Sequence, residues 1–361
     1  MLIPASFARR GGESSPGSPG SPDVTTLAVT LIPLLCAFAL TLVGALEERP
    51  WSFYALVGIW SGALVAAAVR FRRRGVTTVT LLGVAVLLRI LLFPLPPTLS
   101  NDVYRYLWDG HVAAAGFNPY ALPPEADLLE PLRAGPWQGV WDSMSHRDVA
   151  TVYPPLAIGL FSIAARLPTP LYTYKLLLVL LELLGCGLLL AVAARWELPR
   201  WRALLYLWNP LVVLEVAGMG HVDGAGLAPV AAALLRLAGR PSRVAGAGLA
   251  AAAGVLVKLV PIVLLPGWAR SSSRPLRFLV AALLPLVAMA VPVLSWTGGV
   301  PPGLIEYGVS WEYNGPVYEP LWRLLERAEE LYGEPWAKSF VNLIAVSRAG
   351  WRESDFRVLI P

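Results

Sequence analysis

The 361-residue sequence predicts an all-α fold: a polytopic transmembrane bundle of about eight to ten helices with one long external loop. Three observations predict it. Hydrophobic residues make up 56% of the chain and charged ones only 15%, whereas a soluble domain carries about a quarter charged residues. The mean hydropathy is +0.59. The apolar residues fall in runs of about 20, the length that crosses a hydrocarbon core of roughly 30 Å. Unpaired backbone amides are too costly in lipid, so such runs must be helical.

Residues 1–23 form a Ser/Pro/Gly-rich tail that cannot bury a core and is expected to be disordered and cytoplasmic. No small-residue cleavage site follows the first apolar run, so the tail does not read as a signal peptide. Candidate spans follow at about 24–46, 51–69, 76–95, 170–194, 203–219, 224–238, 244–267 and 277–297. Arginine placement orients them, because short basic loops stay inside. Arg70, Arg72, Arg73 and Arg74 put their loop inside. The third span then exits into an external loop, 96–152, with seven acids and three arginines. The clusters Arg195/Arg200/Arg202, Arg236/Arg240/Arg243 and Arg270/Arg274/Arg277 also belong inside.

Keeping that parity requires 153–167 to be an interfacial or dipping helix rather than a span. It also requires 244–267 to turn back as a helical hairpin near Lys258 and Pro261. Residues 221–223 and 298–320 then face outside. Residues 24–320 read as one membrane domain, and 321–361 as an amphipathic or irregular tail.

The net charge of +5 does not imply nucleic acid as a partner, because the basic residues orient helices between apolar runs. Cys36 and Cys186 both lie within apolar runs, so neither a disulfide nor a metal site follows. No dinucleotide-binding or phosphate-loop motif is present, and the chemistry below requires neither metal nor cofactor.

The strongest polar motif, NDVYRYLWDGH, begins at Asn101 just after the third span. Asp102, Arg105 and Asp109 are spaced three and four apart, so a helix would put them on one face. Tyr104, Tyr106 and Trp108 suit the interface where sugar rings and head groups lie. An ordinary polar loop with aromatic anchors would read the same. GFNPY from Gly116 and TVYPPL, containing Tyr153, are turn and helix-start signals.

Further along, Trp208-Asn209-Pro210 breaks a helix. Glu215 sits in an apolar run, where a charge needs a partner or water. His221 and Asp223 stand between Gly220 and Gly224, where backbone can approach a ligand. Lys258, among apolar residues, must snorkel or meet an anion. Glu182, alone in the middle of a span, fits equally a bundle-interior residue with a polar partner and is assigned no role. Trp311 and Asn314 lie in an external loop with three acids and no base, a composition that suits a carbohydrate or simply a solvated loop.

The ordered series NDVYRYLWDGHVAAAGFNPY, TVYPPL, NP…GHVDG, VKLVPIVLLP and WEYN resembles bacterial GT-C glycosyltransferases over residues 80–320. More narrowly, it resembles polyprenyl-phosphate-mannose-dependent mannosyltransferases. The resemblance implies a polyprenyl-phosphate-sugar donor, a glycan, lipid or protein acceptor, the cell membrane as location and an extracytoplasmic site. It implies inverting transfer with Asp102 as catalytic base. Asn101, Tyr104, Arg105, Asp109, Tyr153, Glu215, His221, Asp223, Lys258, Trp311 and Asn314 are the expected substrate-binding residues, with Arg105 and Lys258 facing the leaving phosphate. Where the family has Asn before the second-loop Asp, this chain has Val222. Members continue for several more membrane helices, so the chain is expected to be a shortened one.

Two other classes fit the composition. A transporter or flippase of lipid-linked sugars would show paired broken helices with midplane charges. A non-catalytic membrane subunit would carry the motifs without activity. The motifs gather at external loops and helix ends, which favours an enzyme.

Overall fold

The computed structural model describes residues 23–239, 243–309 and scattered positions between 323 and 335. Trp311 and Asn314 lie outside the described residues. The chain divides into two compact units, 1–303 and 304–361. In the second, the described positions from 323 to 331 are helical, and Arg327 pairs with Glu330 at 3.2 Å.

The first unit is an all-α bundle with no strand among the described residues. Four helices are long and apolar enough to cross a membrane: α1 (Val24–Val43), α2 (Pro50–Arg74), α7 (Pro170–Arg195) and α13 (Pro275–Thr297). The remaining α-helices among its described residues are α3 (Thr78–Leu92), α4 (Asp102–Ala114), α5 (Gln138–Ser143), α6 (Pro155–Ala165), α8 (Leu204–Leu207), α9 (Pro210–Val213), α10 (Asp223–Leu237), α11 (Val244–Val257) and α12 (Leu265–Ser271); α14 (Pro302–Val309) belongs mostly to the second unit.

The other expected spans come out shorter. The run 203–219 divides into α8, α9 and a π-helical turn, Leu214–Met219. Asn209 breaks it, capping α9 by accepting the Leu211 N–H at 3.0 Å, and Pro210 cannot donate backward. The expected interfacial segment 153–167 contains the 11-residue α6, about 16 Å long and short of a crossing. The chain does break at Lys258, whose backbone is extended at φ −145°, ψ 133°. It then returns: the Phe278 carbonyl of α13 lies against Gly248 near the start of α11, where a Cβ would come within 2.4 Å. Val244, Ala247, Ala251, Leu265, Ala269, Phe278 and Ala282 share one buried cluster. Small residues along α11 let these backbones approach.

The main core packs α1, α2, α3 and α7 around Trp60, Trp208 and Leu88. Trp60 Nε1 donates to the Trp208 carbonyl and Trp208 Nε1 to the Leu81 carbonyl, each at 2.9 Å, so both buried indoles are satisfied. Arg89 of α3 and Glu182 of α7 form a two-pronged ion pair, Nε–Oε2 3.0 Å and Nη2–Oε1 2.6 Å. Their side chains are 1% and 0% exposed. The polar partner that Glu182 requires is therefore Arg89. Lys175, also on α7, donates to the Phe93 and Leu95 carbonyls at 2.7 and 2.8 Å. It thereby satisfies acceptors left orphaned at the end of α3.

Candidate active site

The segment after α3 enters α4 at Asp102, in the first turn, where a negative charge complements the helix dipole. α4 buries Val103, Tyr106, Leu107, Gly110 and Val112. Gly110 fits flush on the α6 backbone, since a Cβ there would lie 2.4 Å from the Phe161 carbonyl carbon. Tyr106 stacks on Phe161 at 4.9 Å between centroids, and Tyr153 meets Tyr106 edge-on at 4.9 Å. Burial pushes the Tyr153 phenol well up, and the Asp102 and Asp109 carboxylates push it further.

Asp102, Arg105 and Asp109 do lie on one helix, but their surroundings diverge. Asp102 is half exposed at 52%. Asp109 is buried, which raises its pKa against the pull of Arg105. Arg105 Nε donates to Asp109 Oδ1 at 2.9 Å, while its Nη atoms donate to the His146 and Val149 carbonyls at 2.7 and 2.5 Å. Arg105 and Asp109 thus clamp the loop onto α4. That loop is folded, with its own core of Trp108, Val112, Leu129 and Met144. Arg133 and Arg147 lie over the Trp141 ring at 4.4 and 4.8 Å. Asn101 Nδ2 donates to Ser145 Oγ, tying the loop to the entrance of α4. Tyr104 lines a cleft of about 690 Å³ with Trp137, Ser143 and Tyr172.

The π-helical turn delivers the second half of the site. It ends at Gly220, in the left-handed region at φ 80°, packed against Val103 of α4. The Leu99 N–H donates to Met219 Sδ at 3.4 Å. These contacts bring His221 across from Asp102, with Nε2 3.9 Å from Asp102 Oδ2. On its other side, Nδ1 lies 2.6 Å from Glu215 Oε2. Nε2 is buried with no hydrogen-bond partner among the described residues. Burial alone would lower the imidazole's pKa, but Glu215, then Asp102 and Asp223, outweigh it and raise the pKa above the usual histidine value. Asp223, at the start of α10, pairs with Lys258 at 3.0 Å.

Asp102, Glu215, His221, Asp223 and Lys258 therefore meet at one end of the bundle, from three separate stretches of sequence. Arg105, Asp109 and Tyr104 of α4, with Asn101 at its entrance, are instead turned to the folded loop beside them. Sequence reasoning missed the roles of Lys175 and Arg89, which hold α7 to α3 beneath the site. The signal was present, since each is a lone cation in an apolar run. No group of three His, Cys, Asp or Glu residues placed to hold a metal ion occurs among the described residues.

Fold and site together define a bundle with membrane-length helices and a cluster of ionisable side chains at its helix ends. Within that class, residues 25–273 match the N-terminal-domain model of the alpha-(1→6)-mannopyranosyltransferases, and the chain belongs to this family. The family is one of glycosyltransferases that move mannose, so the chain is a mannosyltransferase-family protein. Comparison with curated proteins and with solved structures found no match.

Proposed function

We propose that this protein transfers a mannosyl group from a polyprenyl-phosphate donor to an acceptor hydroxyl at the extracytoplasmic membrane surface, with inversion, in the manner of GT-C enzymes. The observation that carries the reading is the facing pair of Asp102 and His221, 3.9 Å apart at the helix ends.

In this mechanism the acceptor oxygen attacks the anomeric carbon as the bond from that carbon to the phosphate oxygen breaks. The hydroxyl proton passes to Asp102, and the electron pair leaves with polyprenyl phosphate. The growing phosphate charge needs a cation placed in advance. Lys258, on its extended hinge, supplies it by turning from Asp223. His221, whose imidazolium form Glu215 favours, donates from Nε2 to a substrate oxygen. Arginine placement supports this orientation: Arg72, Arg73 and Arg74 end α2 at the opposite pole of the bundle from Asp102, and basic helix ends favour the inside.

The test is Asp102→Asn, assayed with radiolabelled polyprenyl-phosphate-mannose and a mannan acceptor. Loss of the base lowers transfer by roughly 10²–10⁴-fold. Melting behaviour should stay near wild type, because the side chain is half exposed. Full transfer by a folded Asp102→Asn protein rejects the assignment. Vectorial movement of the lipid-linked sugar without transfer by the wild type would make the protein a transporter instead.

A further inference from the structure

A cavity of mixed lining lies at the opposite end of the bundle from Asp102. α3 separates the two: Val76 comes just before its first turn, and Asp102 follows its last. Its 15 residues span about 22 Å. The cavity encloses about 590 Å³, and its walls include Phe71, Arg72, Val76, Arg200, Trp201 and Arg202. Arg72 comes from the last turn of α2, and Arg200 and Arg202 from the 3₁₀ turn Arg200–Ala203.

A neighbouring arginine shows what these three lack. Arg70 is neutralised by Asp23 and also donates to Thr26 Oγ1 at 3.1 Å. Arg72, Arg200 and Arg202 have no carboxylate partner among the described residues. All three are exposed to solvent, and their like charges around one cavity favour an anion that joins them. The planar guanidinium fork matches the oxygens of a phosphate and binds them in pairs. The part-exposed side chains of Val76 and Trp201 add an apolar surface that a free ion cannot use and a lipid can. A tryptophan beside arginines at helix ends is the usual composition of a head-group boundary.

We propose that this cavity binds the phosphate group of an anionic membrane phospholipid, held by Arg72, Arg200 and Arg202. The site is separate from the transfer site and does not depend on it.

The test is native mass spectrometry of the full chain in detergent, titrated separately with phosphatidylglycerol, phosphatidylcholine and inorganic phosphate, with thermal melting in parallel. Phosphatidylglycerol should bind at least about tenfold tighter than phosphatidylcholine. Arg72→Gln/Arg200→Gln should abolish that preference. Arg73→Gln/Arg74→Gln removes the same charge outside the cavity and should keep it. Arg202→Lys retains the charge without the fork and should weaken binding several-fold, which guards against a double variant that fails to fold. Equal binding of the two lipids by the wild type, or equal losses in the two double variants, overturns the proposal. A variant-sensitive melting shift with inorganic phosphate and no lipid preference would reassign the cavity to a free ion and overturn the lipid assignment. None of these readouts uses transfer activity, so their failure is distinct from failure of the mannosyltransferase reading.

Discussion

Replacing Glu182 by Gln should destabilise the bundle far more than the loss of one contact suggests. The carboxylate takes two donors from Arg89, at 3.0 and 2.6 Å, and lies 3.3 Å from Cys186 Sγ. Arg89 Nη1 also reaches the Ala85 and Leu207 carbonyls, so the guanidinium cannot swing away to water. With both side chains essentially unexposed, the amide leaves a positive charge buried and uncompensated. Removing one partner of such a pair costs about 3–5 kcal/mol. At about 1.36 kcal/mol per tenfold, that is between two and four decades in the unfolding equilibrium. Arg89→Met/Glu182→Leu removes both charges and the desolvation cost of each. It should return to within about 1–2 kcal/mol of wild type. The assay is reversible unfolding in bicelles, followed by tryptophan fluorescence. The reasoning fails if Glu182→Gln melts like the wild type, or if the double variant is as unstable as the single one.

The site supports further expectations. Only three histidines occur, so each can be followed by NMR. His221 should titrate above the usual value of about 6.5, and Glu215→Gln should lower its midpoint, because burial then dominates. The stability this contact adds is full below the unfolded histidine value and is lost as pH rises through the raised folded value. An unchanged midpoint in Glu215→Gln would remove Glu215 from the site. Gly110→Ala places a methyl group 2.4 Å from the Phe161 backbone and should cost about 1–3 kcal/mol in the same unfolding assay. A neutral result would mean that α4 does not seat on α6 as described. Lys258→Met should lower transfer by roughly 10²–10³-fold while leaving the fold intact. A variant with unaltered transfer would assign the leaving-group cation elsewhere.

The break at Lys258 was legible because two arginine-rich ends cannot both lie inside unless the intervening run turns back. That Asp102, Arg105 and Asp109 share a face once helical was legible from their spacing. The lengths of the apolar runs anticipated α1, α2, α7 and α13 well, since a span is a local property of composition. The run 203–219 divides into shorter pieces because a π-helical turn and Asn209 redistribute backbone hydrogen bonds, which hydropathy does not register. Arg105 looked like a ligand because its charge sits near Asp102 in sequence. Each of its three nitrogens already donates, to Asp109 or to carbonyls about forty residues further on.

What the sequence alone determined is the solvent of the chain, its helical class and which charges needed partners. Each of these follows from the cost of placing one residue or one amide in hydrocarbon. What only the tertiary structure decided is which partners those charges found. Glu182 met Arg89, Lys258 met Asp223, and His221 came to stand between Glu215 and Asp102. Pairing over such sequence distances depends on how helices pack, and close packing is set at Gly110, Gly220 and Gly248 by the absence of a side chain.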